Sequence, residues 1–169
     1  PPYIHTPPPS LSILGHPVDP ILSASSTDML SVFATNCVGV VLTTQALLPL
    51  LRAGAGKGKK TIVNLSSQLG SIEMCFGVQG RYGGVASYRM SRAANNMATR
   101  TFAGELKPEG FLCVALSPGW VQTDMGSSGA RAPPLTIETS VTGMLDVVAS
   151  LTVEDTGTFR QYDGATLPW

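Results

Sequence analysis

Two short β-branched and apolar runs, Thr61-Ile62-Val63-Asn64-Leu65 and Phe111-Leu112-Cys113-Val114-Ala115-Leu116, constrain this chain most. Neither follows a strict in-out alternation. A strand of this kind needs cover on both faces, the condition of a parallel sheet flanked by helices. Between the runs lies a helical stretch from about Ser87 to Lys107, stopped by Pro108 and Gly110. Strand, crossover helix and strand make one βαβ unit. The rest of the chain extends it. A helix is predicted over 27–52, capped by Ser26, Thr27 or Asp28, with Met29, Val32, Phe33, Val40 and Leu47 at helical spacing. Residues 66–86 read as Gly-rich loop, and a second long loop runs to Pro134. A helix follows from a Thr136 cap to Ser150, then a short strand over 158–162. The expected fold is α/β, a Rossmann-like parallel sheet flanked by helices, without internal repeats.

Seven prolines in the first 20 residues make 1–26 an extended arm, leaving 27–169 as the domain. Lys plus Arg and Asp plus Glu number 11 each, so the electrostatic footprint of a nucleic-acid binder is missing. Charged residues are 13% of the chain, about half the usual quarter, which points to faces hidden in a partner or second copy. Cys37, Cys75 and Cys113 form no C-x-x-C pair and are odd in number. They imply neither a metal cage nor a disulfide framework and read as buried thiols of a reducing compartment. No charged-then-apolar leader is visible, so the cytoplasm is the expected location. An organelle stays open because residue 1 is Pro, the mark of a processed or longer chain. Met29 to Leu51 carries no charge and is long enough to span a bilayer. Ser31, Thr35, Asn36, Thr43, Thr44 and Gln45 interrupt it, which suits a helix packed on both sides in a soluble protein.

Ligands of open α/β sheets sit beyond the carboxyl ends of the strands, so chemistry is expected after Leu65 and Leu116. Ser66 and Ser67 follow the first strand; Tyr88 opens the next helix, with Arg92 one turn along the same face. After the second strand comes SPGWVQTDMG (117–126). Asn36 lies among Met29, Phe33 and Val40 on one stripe of the first helix. Singly, each has a plain structural explanation: Ser66 and Ser67 ending a strand, Asn36 satisfied by neighbouring backbone, Tyr88 and Arg92 as an i,i+4 contact.

As an ordered set, these residues resemble the short-chain dehydrogenase/reductase family, in particular its small carbonyl-reductase-like members. The resemblance covers about 27–169, through FATNCVGVVLTTQALLPLL, TIVNLSSQLGSI, YRMSRAANNMATRTFAGEL, VALSPGWVQTDMG and YDGATLPW. It implies an oxidoreductase that interconverts small carbonyl compounds and alcohols with NADP or NAD. Tyr88 would be the general acid/base, Ser67 would orient the carbonyl, and Asn36 would hold a water in the proton relay. Pro118, Gly119, Val121 and Thr123 would pin the nicotinamide carboxamide. It also implies a homodimer or larger assembly, with helices 27–52 and 87–107 packed against a second copy. A phenol keeps its proton at neutral pH and can supply it to a developing alkoxide.

Two departures shape the expectation. The family has lysine where this chain has Arg92; arginine keeps the positive charge, but its fork is larger and yields no proton. The N-terminal β-α-β cofactor half is also missing before residue 27. GAGKGKK (54–60) leaves a helix and enters a strand, the wrong order for a phosphate cradle. Arg52, Lys57, Lys59 and Lys60 therefore read as a solvated loop, and weak dinucleotide binding is expected of these residues alone. Two function classes stay open: part of a nicotinamide-dependent carbonyl reductase, or a catalytically silent accessory subunit. Arg81, Arg89, Arg92 and Arg100 lie in an acid-free stretch that reads as a basic helix face, with an anionic ligand such as a 2′-phosphate as the alternative. Asn64-Leu65-Ser66 fits a glycosylation sequon but falls at a buried strand end.

Overall fold

The long uncharged segment forms a helix, but not a uniform one. In the computed structural model, which describes residues 19–54, 59–77, 85–127 and 132–169, it comprises α1 (Ser26–Phe33) and α2 (Gly39–Ala53). A π-helical stretch, Ala34–Val38, joins them. Ser25 rather than the three expected residues is the cap: its extended backbone frees its hydroxyl to accept the Asp28 amide at 3.5 Å. The π turn rotates the helix locally and buries Asn36 and Cys37. By length and composition alone Ser26–Ala53 could cross a bilayer. Here it packs on the neighbouring helix and the sheet, with Val32, Asn36 and Thr44 inward and Leu30, Leu42 and Leu50 exposed.

β1 (Lys60–Leu65), β2 (Phe111–Ser117) and β3 (Phe159–Gln161) form a parallel sheet in that order. The β1 register runs from Lys60 opposite Phe111 to Leu65 opposite Leu116. Every residue of β2 is buried, as its apolar run requires. α4 (Ala86–Leu106) crosses from β1 to β2, and α5 (Ile137–Ser150), capped by Thr136, leads towards β3. Alternate β2 residues enter two different cores. Phe111 and Cys113 pack with Ile62, Ala103 and Leu106, whereas Leu112, Val114 and Leu116 pack with Val147 and Leu151. The fold is Rossmann-like, with helices covering both sides of the sheet.

Several expectations need correction. The 66–86 region is not all loop. A 3₁₀ turn at Gln68–Gly70 and α3 (Ile72–Gly77) form because the Ser67 and Ser71 hydroxyls cap them, accepting the Leu69 and Met74 amides. Residues 78–84 fall outside the described residues. Of the arm, residues 1–18 also fall outside; its described end is docked, with a 3₁₀ turn at Ile21–Ser23 and a bridge from Asp19 to Val85. Cys75 is exposed, unlike Cys37 and Cys113. Burial pushes the Cys113 thiol up to about 11, so it is unreactive at neutral pH.

The described cations on either side of residues 55–58 are engaged: Arg52 pairs with Glu109 through two nitrogens, Lys59 donates to the Leu151 carbonyl, and Lys60 donates to that of Glu109. Lys57 lies outside the described residues. No continuous basic face forms on α4, because Arg92 is buried and Arg100 donates to the Gly157 carbonyl while covering the Trp169 ring. Arg81 lies outside the described residues. Asn64 is buried and its amide donates to Thr99, leaving no room for a glycan.

Candidate active site

The site grows from the polar inner face of α4. Ser87, Ser91, Arg92, Asn95, Asn96 and Thr99 are all buried there. Burying so many polar groups is tolerable only where partners await them, and the carboxyl end of β1 supplies partners for Arg92, Asn95, Asn96 and Thr99. The Leu65 carbonyl accepts from Arg92 Nη1 at 3.1 Å and from Asn95 Nδ2 at 3.0 Å. Ser66 donates to Asn96 Oδ1, and Asn96 Nδ2 donates to the Gly70 carbonyl. Gly70 is needed at this contact: a Cβ there would stand 2.8 Å from the Arg92 backbone.

These contacts aim Tyr88. Its side chain is nearly buried, and the Arg92 guanidinium lies over its ring, 4.9 Å from the centroid. That is cation–π range, and the stack holds ring and charge together. Behind them, Asn36 Nδ2 donates to Ser91 Oγ at 3.0 Å, and Ser91 Oγ donates to the Tyr88 carbonyl at 2.8 Å. The π turn thus links Asn36 to the Tyr88 turn.

The first turn of α4 is fixed from far away in the sequence. Val85 precedes the helix and supplies no side-chain cap. Asp19 supplies it instead: its Oδ2 accepts the Ser87 amide at 2.7 Å and its carbonyl accepts the Ala86 amide at 2.9 Å. Asp19→Ala should cost about 1 kcal/mol of stability, and Asp19→Asn, which keeps an acceptor, only a few tenths. Urea denaturation of both variants checks this; equal losses would mean that the cap contributes nothing.

Across the gap, β2 ends in a shaped turn. Gly119 has φ of 78°, where a side chain is strained, and an added Cβ would also strike Leu135 and Tyr162. The Ser117 hydroxyl accepts amides from both Gln68 and Gly119, tying the two loops together. Val121 bridges Leu135, and Trp120 Nε1 donates to the Gly126 carbonyl at 3.0 Å. Between the loops lies a cavity of about 490 Å³.

Six of the sequence-predicted residues line this cavity: Ser67, Tyr88, Pro118, Gly119, Val121 and Thr123. Asn36 and Arg92 are not on its wall; they stand behind Tyr88. Asp19, Ser91, Asn95 and Asn96 were not anticipated. Asn95, Asn96 and Thr99 carried a legible signal, polar side chains on the face of a helix that has to cover a sheet. Asp19 carried none, because its partner is distant in the sequence.

Comparison with known proteins gives the family. Residues 13–133 match the family described as short chain dehydrogenase. C-signal of Myxococcus xanthus is 42% identical over 142 residues, covering 84% of this chain and 79% of that protein. The chain belongs to the short chain dehydrogenase family. Among solved structures, it is similar to NADPH-bound carbonyl reductase from chicken fatty liver, with a TM-score of 0.84 and 37% identity. It is also similar to the carbonyl reductase Sniffer of D. melanogaster, with a TM-score of 0.81 and 34% identity. Each comparison covers 94% of this chain and 63% of the other, so the chain spans less than two thirds of those two structures.

The end of β2 suits a nicotinamide carboxamide. Leu135 bonds to the residues on either side of Val121, through the Trp120 carbonyl and the Gln122 amide. That parallel bridge turns the Val121 backbone the other way, and Val121 and Thr123 both line the cavity. A backbone amide and a hydroxyl there complement a group that has one acceptor and one donor.

Proposed function

We propose that this chain carries the catalytic part of an NADP- or NAD-dependent carbonyl reductase. One observation carries the reading: Ser67, Tyr88 and the 118–123 turn share a single cavity beyond the carboxyl ends of β1 and β2. Tyr88 gives its phenolic proton to the substrate oxygen as that oxygen gains charge. Ser67 donates a hydrogen bond to the same oxygen and fixes its direction. Arg92 stays charged over the Tyr88 ring and stabilises the phenolate left behind. Asn36 and Ser91 hold the backbone of that turn. The 118–123 turn would hold the carboxamide of a nicotinamide, which would supply the hydride when bound. Among the described residues none is assigned to pyrophosphate, and the activity is proposed for the protein with its cofactor site complete.

Leu30, Leu42 and Leu50 on α1 and α2, with Met97 on α4, are exposed apolar residues. They support the homodimer that the resemblance implies, with a second copy over these helices.

The test is NADPH oxidation by the full-length protein with simple ketones and aldehydes, alongside two Arg92 variants. Arg92→Met should lower kcat/KM by about 100-fold, the scale of losing one stabilising group at a developing charge. Arg92→Lys restores the charge and should stay within about tenfold of the parent. No turnover of any carbonyl, together with no NADPH binding, would instead leave the silent accessory subunit.

A further inference from the structure

Tyr88 sits in the first turn of α4, where a helix is least able to hold itself, because the leading amides find no acceptor inside it. Asp19 takes two of them. Its carbonyl accepts the Ala86 amide at 2.9 Å and its Oδ2 accepts the Ser87 amide at 2.7 Å, so both bonds end just ahead of Tyr88. Asp19 is itself buried and runs parallel to Val85 as a single bridge. Val85 and Tyr88 line the cavity, whereas Asp19 does not. Behind Tyr88 the turn is tied again, through the Ser91 hydroxyl on the Tyr88 carbonyl. Arg92 has an anchor of its own, the Leu65 carbonyl, one turn further on. Removing the front tether therefore loosens Tyr88 while Arg92 keeps its bond.

We infer that Asp19 is a positioning residue: it holds the first turn of α4 so that the Tyr88 phenol stays in the cavity it shares with Ser67 and the 118–123 turn. The inference rests on the carbonyl reductase reading for the task of that phenol. It adds a residue that lies off the cavity wall and acts through two backbone amides.

Steady-state kinetics of the full-length protein with NADPH and either acetophenone or benzaldehyde test it. Asp19→Ala should lower kcat by about 10- to 100-fold, the scale of a small misplacement of a reacting group. KM and NADPH affinity should stay within about threefold, and circular dichroism at the assay temperature confirms that the variant is folded. Asp19→Asn keeps a side-chain acceptor and should return kcat to within about threefold of the parent. In a Tyr88→Phe background Asp19→Ala should change the residual kcat by no more than about twofold, since no phenol remains to be placed. If Asp19→Ala does not fold, Asp19→Glu moves the same acceptor by one methylene and should lower kcat by more than about threefold. A parent-like kcat in the folded variant, no rescue by asparagine, or an equal loss in the Tyr88→Phe background overturns the inference.

Should the parent reduce neither carbonyl compound, NMR separates the two ideas. Faster amide exchange over 86–89 in Asp19→Ala with a shifted Tyr88 ring resonance, both absent in Asp19→Asn, keeps the tether and discards the carbonyl reductase reading. A Tyr88 resonance that Asp19→Ala leaves in place sinks the tether.

Discussion

Tyr88→Phe is expected to lower kcat by about 100- to 10,000-fold in the full-length protein, the range spanned by general acid–base catalysis. The substitution is clean because it removes one oxygen. The aromatic ring remains under the Arg92 guanidinium, and the backbone carbonyl that accepts the Ser91 hydroxyl is untouched. NADPH affinity and the thermal midpoint should therefore match the parent, which separates a chemical loss from a folding one. Steady-state kinetics with fluorescence titration of NADPH measure both. A variant within about tenfold of the parent in kcat would mean that the proton comes from elsewhere, and the proposed mechanism would fail.

Phe159→Ala should cost about 3–5 kcal/mol, the usual cost of truncating a buried phenylalanine. Phe159 is fully buried and stacks on Trp169 at 5.4 Å between centroids. It belongs to a small core with Ala115 and Leu167, against which Met74 also packs. β3 has three residues, and Phe159 is the one of them that is buried. The Leu167 amide bonds to the Phe159 carbonyl, and the Trp169 carbonyl accepts the Glu73 amide and the Ser71 hydroxyl. The loss should reach α3 as well as the C-terminus. Hydrogen exchange should show faster exchange over 72–77 and 159–169, with α5 unchanged. Uniform exchange across the chain would mean that the cluster is not a separate unit.

The strands and their long crossover helix were legible because apolar runs of strand length have few alternatives. Ser67, Tyr88, Arg92 and the 118–123 turn were legible for a different reason: as an ordered set near the strand ends they resemble the short-chain dehydrogenase/reductase pattern. What sequence spacing could not convey was direction. Arg92 looked like one cation of an exposed face, yet the Leu65 carbonyl and the Tyr88 ring draw it inside. The resemblance gave Asn36 a water of the proton relay, and spacing alone did not show that the π turn points its amide at Ser91. The 3₁₀ turn and α3 were hidden by neighbouring glycines, since short elements capped by a single serine leave almost no periodic signal. Asp19 was hidden because nothing local reports on a cap received from another part of the chain.

The polar interior of α4 also bears on how the chain reaches its native state. A helix faced with leucine can slide on a sheet during collapse and still gain most of its burial. α4 cannot, because Asn95, Asn96 and Thr99 each meet a particular atom near the end of β1. A shift of one turn would strand several desolvated amides at once, each at about 1–3 kcal/mol. Misaligned arrangements are thereby penalised out of proportion to the displacement, and the helix should lock into place in one cooperative step, late and all together.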